Sequence, residues 1–139
     1  MIDASVATAL RQLPAWVALP PRAAAALVPR VGLAPDVELD WEGISPFVTS
    51  SVLWSLYSFL HTPEDYWETI CTAIDVGGDV DTTAAMAGAI SGAHLGLAAI
   101  PEHLARRLTD CGAWGYNELV ELARKCYQIK ARQEGSRVQ

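Results

Sequence analysis

The chain has 139 residues, 51% of them hydrophobic and 19% charged, with a formal net charge of −6. That size and apolar content exclude a disordered tail and suffice for one domain with a core. The acidic balance excludes nonspecific nucleic-acid binding, which needs a basic face; Arg124, Lys125, Lys130, Arg132 and Arg137 read as a solvated helix end.

Alanine, leucine and other helix-compatible residues dominate and no sustained Val/Ile/Thr alternation occurs, so an all-α fold is expected. Ala4 to Leu13 reads as a helix with Val6, Leu10 and Leu13 on one side and Pro14 just past its end. Trp16 to Pro20 reads as a linker, and Pro21 opens an alanine-rich helix through Val28. Pro29 to Glu42, rich in Pro, Gly and acidic residues, is a long loop. Ser45-Pro46 predicts a capped helix start, with an apolar stripe of Val52, Leu56, Phe59 and Leu60 and an end near Leu60. His61, just beyond, is placed to satisfy free carbonyls.

Thr62-Pro63-Glu64-Asp65 predicts the next start, followed by a stripe of Trp67, Ile70, Cys71 and Ile74. Gly77-Gly78 ends that helix. From Asp81 another runs to about Leu97, with Ala84, Gly88, Gly92 and Gly96 spaced by four as a smooth ridge for close helix approach. Thr82 to Pro101 is uncharged apart from His94, but its Ala, Gly, Ser and Thr content argues for a buried core helix and against a membrane span. Pro101-Glu102 opens a short helix to Leu108, Trp114-Gly115-Tyr116 makes a turn, and a last helix covers Asn117 to Lys130 with Leu119, Leu122, Cys126 and Ile129 on one face. Cys71, Cys111 and Cys126 are odd in number and form no Cys-x-x-Cys pair, so a disulfide framework or zinc knuckle is not expected. With no basic n-region in Met1-Ile2-Asp3, a reducing, cytoplasmic location is expected.

Chemistry concentrates at Gly77-Gly78-Asp79-Val80-Asp81-Thr82-Thr83. On a strand Asp79 and Asp81 would point apart, but at a Gly-Gly turn entering a helix they can converge, with the Thr82 hydroxyl in the first helical turn. Such a set of hard oxygen donors suits Mg²⁺, although Asp and Thr at a helix start are also ordinary caps. Rival motifs fail on residues. A P-loop needs Gly-Lys-Ser/Thr, and an EF-hand needs Gly and Glu where Ala84 and Ile90 stand. His94 and His103 lack the spacing of a zinc pair.

The longer pattern comprises Ser51 to Leu60, Ala73-Ile74, Gly77 to Ala93 and Ile100-Pro101. It resembles the C-terminal part of the ADP-ribosylglycohydrolase family, most clearly over residues 44–110. Residues 1–43 then read as lead-in helices and a loop, and 111–139 as a C-terminal helix and tail, all within one partial domain, 1–139. The resemblance implies an all-α fold with two Mg²⁺ (or Mn²⁺) ions in a central cleft. It implies hydrolysis of an N- or O-glycosidic bond of ADP-ribose, on an ADP-ribosylated protein or an ADP-ribose-containing small molecule. Matched by position, Asp79 and Asp81 fall on two metal-binding aspartates, with Asp81 the bridge, and Thr82 on a hydroxyl ligand. Ser45 to Phe47 lies near a substrate-contacting loop of relatives, with no residue carried over.

No catalytic residue is carried over either. The family's Thr-Asp-Asp-type cluster, its water-handling glutamate and its phosphate-binding loop belong to an N-terminal half that this sequence does not match. Two octahedral Mg²⁺ ions need about twelve ligand positions, of which three side chains fill a minority. The expectation is half an active site, from a truncated or split enzyme partnered by an N-terminal half. The alternative is a non-catalytic helical module that keeps the acidic turn as a structural cap.

Overall fold

The computed structural model describes residues 4–33, 38 and 41–135. Among them the regular structure is helical: α1 (Ala4–Val17), α2 (Pro21–Ala25), α3 (Val48–His61), α4 (Tyr66–Asp75), α5 (Val80–Leu95), α6 (Glu102–Ala105) and α7 (Tyr116–Gly135). Short 3-10 turns follow α2 at Val28–Arg30 and α5 at Leu97–Ala99. The all-α expectation holds. The chain divides into two compact units, Met1–Ile100 and Pro101–Gln139. Among the described residues no helix is long and apolar enough to cross a membrane. Residues 34–37, 39 and 40 of the expected Pro29–Glu42 loop lie outside the described residues, as does Arg137.

In the first unit α3 is the central element, packed against α1, α4 and α5. One side of it builds an apolar core: Leu53, Trp54 and Tyr57 meet Ala9, Leu13 and Trp16 of α1, together with Ala24, Val28 and Ile44. The rings of Trp54, Tyr57 and His61 stack successively along α3, with centroids 4.8 Å and 5.2 Å apart. This column also ties down the end of α1. Tyr57 Oη donates to Leu19 O (2.7 Å), and His61 Nδ1 pairs with Val17 O at 3.0 Å. The expected carbonyl-satisfying role of His61 is met, but on α1 rather than on its own helix.

α1 runs through Pro14 instead of ending before it. Proline costs the helix one hydrogen bond, yet Leu13 and Trp16 on either side are buried in the core, and that burial outweighs the loss. Two other starts shift. α3 begins at Val48, not beside Ser45; the Ser45 hydroxyl instead accepts from Phe47 N and lies 3.1 Å from Ser50 Oγ. α4 is capped by Asp65, whose carboxylate accepts from Glu68 N, not by Thr62.

The larger departure concerns which faces are buried. The stripes read from hydrophobicity are met in part: Leu56 packs on the core and Phe59, Ile70 and Cys71 are half-buried, whereas Val52 and Leu60 on α3, and Trp67 and Ile74 on α4, are each about two-fifths exposed or more. Much of the surface where α3, α4 and α5 meet is made of small and hydroxylic residues, with Trp54, Tyr66 and Ile70 beside them. Ser51, Ser55, Ser58, Thr69, Thr72, Ala73, Thr83, Ala87 and Ser91 are all buried. Ser51, Ser55 and Ser58 can face inward because each hydroxyl is satisfied by its own helix, whereas the buried Ser91 hydroxyl has no partner among the described residues. Ser51 Oγ donates to Phe47 O, Ser55 Oγ to Ser51 O and Ser58 Oγ to Trp54 O. The expected glycine ridge is met at Gly88 and Gly92 but not at Gly96, which ends α5 at φ 81° with nothing within 4 Å of a Cβ there. A side chain at Gly88 would meet Ile70 Cδ1 and the Tyr66 hydroxyl, and one at Gly92 the Tyr66 ring.

In the second unit a turn at Thr109–Gly115 joins α6 to α7. The Asp110 carboxylate accepts from the N–H groups of Ala113 and Trp114. Leu119, Leu122 and Ile129 of α7 lie exposed on one helix face.

Candidate functional site

The acidic motif is held in place by its backbone before any side chain acts. After α4, Gly77 and Gly78 take positive φ (75° and 92°), which reverses the chain sharply. The reversed segment then pairs in parallel with Ile44: Ile44 N donates to Gly77 O (3.1 Å), and Asp79 N donates to Ile44 O (2.7 Å). Contact is close enough to exclude a side chain at Gly78 and at Gly43. A Cβ on Gly78 would lie 2.8 Å from Ile44 C, and one on Gly43 (φ 76°) would lie 2.6 Å from Gly78 N. Ile44 is itself fully buried, so the pairing is anchored in the apolar core.

Asp79 sits at the apex. Its φ and ψ of −80° and 67°, with Val80 N donating to Gly78 O (2.9 Å), form an inverse γ-turn that leads directly into α5. Asp79 holds the N-cap position of α5, yet its carboxylate caps no backbone N–H. Its carbonyl makes the first bond of the helix, accepting from Thr83 N, and also accepts from Thr83 Oγ1. The buried Thr83 hydroxyl also donates to Ala73 O in α4, and Ser55 Oγ of α3 donates to Thr83 O. Thr83 thus joins three helices under the motif.

Freed from capping, the Asp79 carboxyl turns to Asp81. The Asp81 carboxylate is held below the usual aspartate range first by a hydrogen bond from the Asp79 carboxyl, then by the N–H groups of Thr82 and Asp81 itself. The two acids predicted to converge are therefore adjacent. Two carboxyl groups set side by side in this way suit a divalent cation, which takes hard oxygen donors. Asp79 is half-buried, while Asp81 and Thr82 are exposed in the first turn of α5. The Thr82 side chain thus faces outward where that of Thr83 faces inward. Among the described residues no group of three His, Cys, Asp or Glu side chains is placed to hold a metal ion.

Several residues that build the site escaped the sequence reading. Gly43 and Ile44 lie 35 residues and more before Asp79 and supply the strand that fixes the turn; their only local signal is an isolated glycine between Glu42 and an apolar residue. Thr83 resembled a second copy of Thr82, and only the packing separates their roles. Ser45 to Phe47 does come close to the motif in the chain path, since it continues directly from the Ile44 pairing.

Fold and site together define an all-helical protein whose acidic Gly-Gly-Asp-x-Asp-Thr turn opens toward solvent at the head of a small-residue helix. The ADP-ribosylglycohydrolase family model matches residues 1–136, so the chain belongs to the ADP-ribosylglycohydrolase family. Among curated proteins it is similar to the "ADP-ribosylhydrolase ARH3" of Danio rerio, 43% identical over 61 residues, covering 44% of this chain and 15% of that one. It is also similar to the protein of the same name from Mus musculus, 40% identical over 70 residues, covering 43% of this chain and 18% of that one. The matches thus span less than a fifth of the length of either relative. No solved structure matches the chain.

Proposed function

We propose that this chain contributes metal ligands to an ADP-ribosyl hydrolase, with Asp79, Asp81 and Thr82 as oxygen donors to Mg²⁺. The observation that carries this reading is the Asp79 carboxylate, which occupies a helix N-cap without capping and meets the Asp81 carboxylate instead. An acidic turn kept only as a structural cap would be expected to use that carboxylate on the free N–H groups of α5. Here Asp79 leaves that role to Asp81, whose carboxylate accepts from the N–H groups of Thr82 and Asp81, while Thr83 anchors the turn to Ala73 O and Asp79 O.

When bound, the cation would supply electrostatic stabilisation of oxygen-centred charge and hold water or a sugar hydroxyl. The chain's own part is positional. Gly77, Gly78 and the Ile44 pairing fix the approach to α5, and Asp79 and Asp81 present their oxygens on one side of it. The substrate class, carried from the relatives' name and the family, is a protein or small molecule bearing ADP-ribose, cut at an N- or O-glycosidic bond. Because no third acidic ligand joins the pair among the described residues, the remaining donors come from a segment with the family's Thr-Asp-Asp-type cluster. This makes an N-terminal half the natural partner.

The same observation on acidic ligands favours a second reading, a non-catalytic helical module. One assay separates the two. The chain is mixed with a polypeptide carrying the N-terminal ligands of a relative, and ADP-ribose release is measured with Mg²⁺. Release that needs both polypeptides and is abolished by Asp81→Ala supports the hydrolase reading. No release, or release indifferent to Asp81→Ala, supports the module.

A further inference from the structure

Two adjacent threonines follow Asp81, and only Thr82 is exposed. Thr83 is fully buried, and its hydroxyl lies within bonding distance of three carbonyls: Asp79 O at 3.0 Å, Val80 O at 3.3 Å and Ala73 O at 3.3 Å. The bonds to Asp79 O and Val80 O are the local ones a threonine commonly makes near its own helix start. The bond to Ala73 O is tertiary. Ala73 lies in the last turn of α4, where carbonyls lack in-helix partners, and the following Gly77 N donates to Ile74 O instead. Ala73 O accepts from Trp54 Nε1 of α3 at 3.0 Å as well as from Thr83. One carbonyl thus gathers three helices, and the Thr83 hydroxyl links it to Asp79 O.

Asp79 is held by both of its backbone polar groups. Its N–H donates to Ile44 O at 2.7 Å, and its carbonyl accepts from Thr83 N at 3.1 Å and from the Thr83 hydroxyl. Two carboxylates repel, so their oxygens stay together only where the backbone beneath them resists splaying. We propose that Thr83 is a positioning residue of the acidic site, an inference that rests on the hydrolase reading and deepens it. Its buried hydroxyl, braced on Ala73 O, holds the turn so that the Asp79 and Asp81 oxygens converge on one cation. Thr83 itself touches neither cation nor substrate and acts through Asp79. A threonine buried only for its methyl groups' packing would be replaced equally well by valine, which is branched in the same way. Valine also leaves neither carbonyl without a donor: Asp79 O keeps the backbone N–H at position 83, and Ala73 O keeps Trp54 Nε1. Thr83→Val should therefore fold, with its effect concentrated on the acidic turn.

Nuclear magnetic resonance on the isotope-labelled full chain tests this with and without metal. In the metal-free chain, Hα–Hβ couplings of Asp79 and Asp81 should report one side-chain rotamer each in wild type and in Thr83→Ser, and averaged rotamers in Thr83→Val. The signals of Trp16, in the apolar core, should stay in place in all three chains. In a Mg²⁺ titration Thr83→Val should raise the dissociation constant about fivefold, the equivalent of one hydrogen bond, while Thr83→Ser stays within about twofold of wild type. Wild-type couplings in Thr83→Val overturn the proposal, as does a Thr83→Ser chain that fails to restore them. Averaged couplings with an unchanged Mg²⁺ affinity overturn it too. A wild-type chain indifferent to Mg²⁺ refutes the hydrolase reading instead, and the metal-free couplings then decide alone whether Thr83 orders the pair.

Discussion

Gly77 and Gly78 are neighbours with positive φ, and replacing each by alanine separates backbone strain from steric exclusion. At Gly77 (φ 75°) a Cβ meets nothing within 4 Å, so Gly77→Ala carries only the left-handed penalty, about 1–2 kcal/mol. At Gly78 (φ 92°) the same Cβ runs into the backbone of Ile44, and the parallel pairing must open. Opening it releases two hydrogen bonds, Ile44 N to Gly77 O and Asp79 N to Ile44 O, each worth about 1 kcal/mol net. Gly78→Ala should therefore cost about 3–4 kcal/mol, roughly 2 more than Gly77→Ala. Urea unfolding followed by circular dichroism measures both, the comparison being valid where the m-value is unchanged. Gly78→Ala proving no worse than Gly77→Ala would refute the claim that contact with Ile44 sets the turn.

Three further outcomes follow from the packing and the site. Trp54 is fully buried and its Nε1 donates to Ala73 O at 3.0 Å; that carbonyl keeps the Thr83 hydroxyl as a second partner. Trp54→Phe should then cost about 2 kcal/mol in urea unfolding, part lost bond and part unfilled volume, and a neutral result would contradict the contact. Ser55 is buried and bonded to Ser51 O and Thr83 O, so Ser55→Leu should destabilise by about 2–3 kcal/mol despite adding apolar surface; a gain in stability would show that the serine face is not packed inward. For Asp81, a lowered native pKa makes its stabilising contribution complete at neutral pH and lost as pH falls through the native value. Its carboxyl carbon should titrate below the ordinary 3.8 and move back toward it in Asp79→Ala. A midpoint at or above 3.8, or one unmoved by Asp79→Ala, would contradict the pairing.

The sequence made the helical class, the Gly-Gly break and the acidic turn legible, because glycine pairs and a small-residue run leave few other structures open. Burial was legible less well. Period analysis scores Val52, Leu60, Trp67 and Ile74 as core and serine as surface, but serine bonded to its own helix is a compact residue that admits a close neighbour. α3, α4 and α5 meet largely on such faces, and Val52, Leu60, Trp67 and Ile74 turn outward. α1 passed through Pro14 because Trp16 beyond it is needed in the core, a tertiary effect that local rules cannot register. At the site, Asp79 and Asp81 could be named from the motif, whereas Gly43, Ile44 and Thr83 could not. Their roles depend on a pairing across more than 30 residues and on which of two adjacent threonines turns inward.

The central claim, that Asp79, Asp81 and Thr82 are oxygen donors to a divalent cation, is tested most directly by titrating the isotope-labelled full chain with Mg²⁺ while following backbone amide resonances. The account predicts shifts confined to Gly78 through Thr83, saturating no tighter than about millimolar because few ligands are at hand, and absent in Asp81→Ala. Amides of Gly78 to Thr83 that stay still through tens of millimolar Mg²⁺, or shifts that persist in Asp81→Ala, would contradict it.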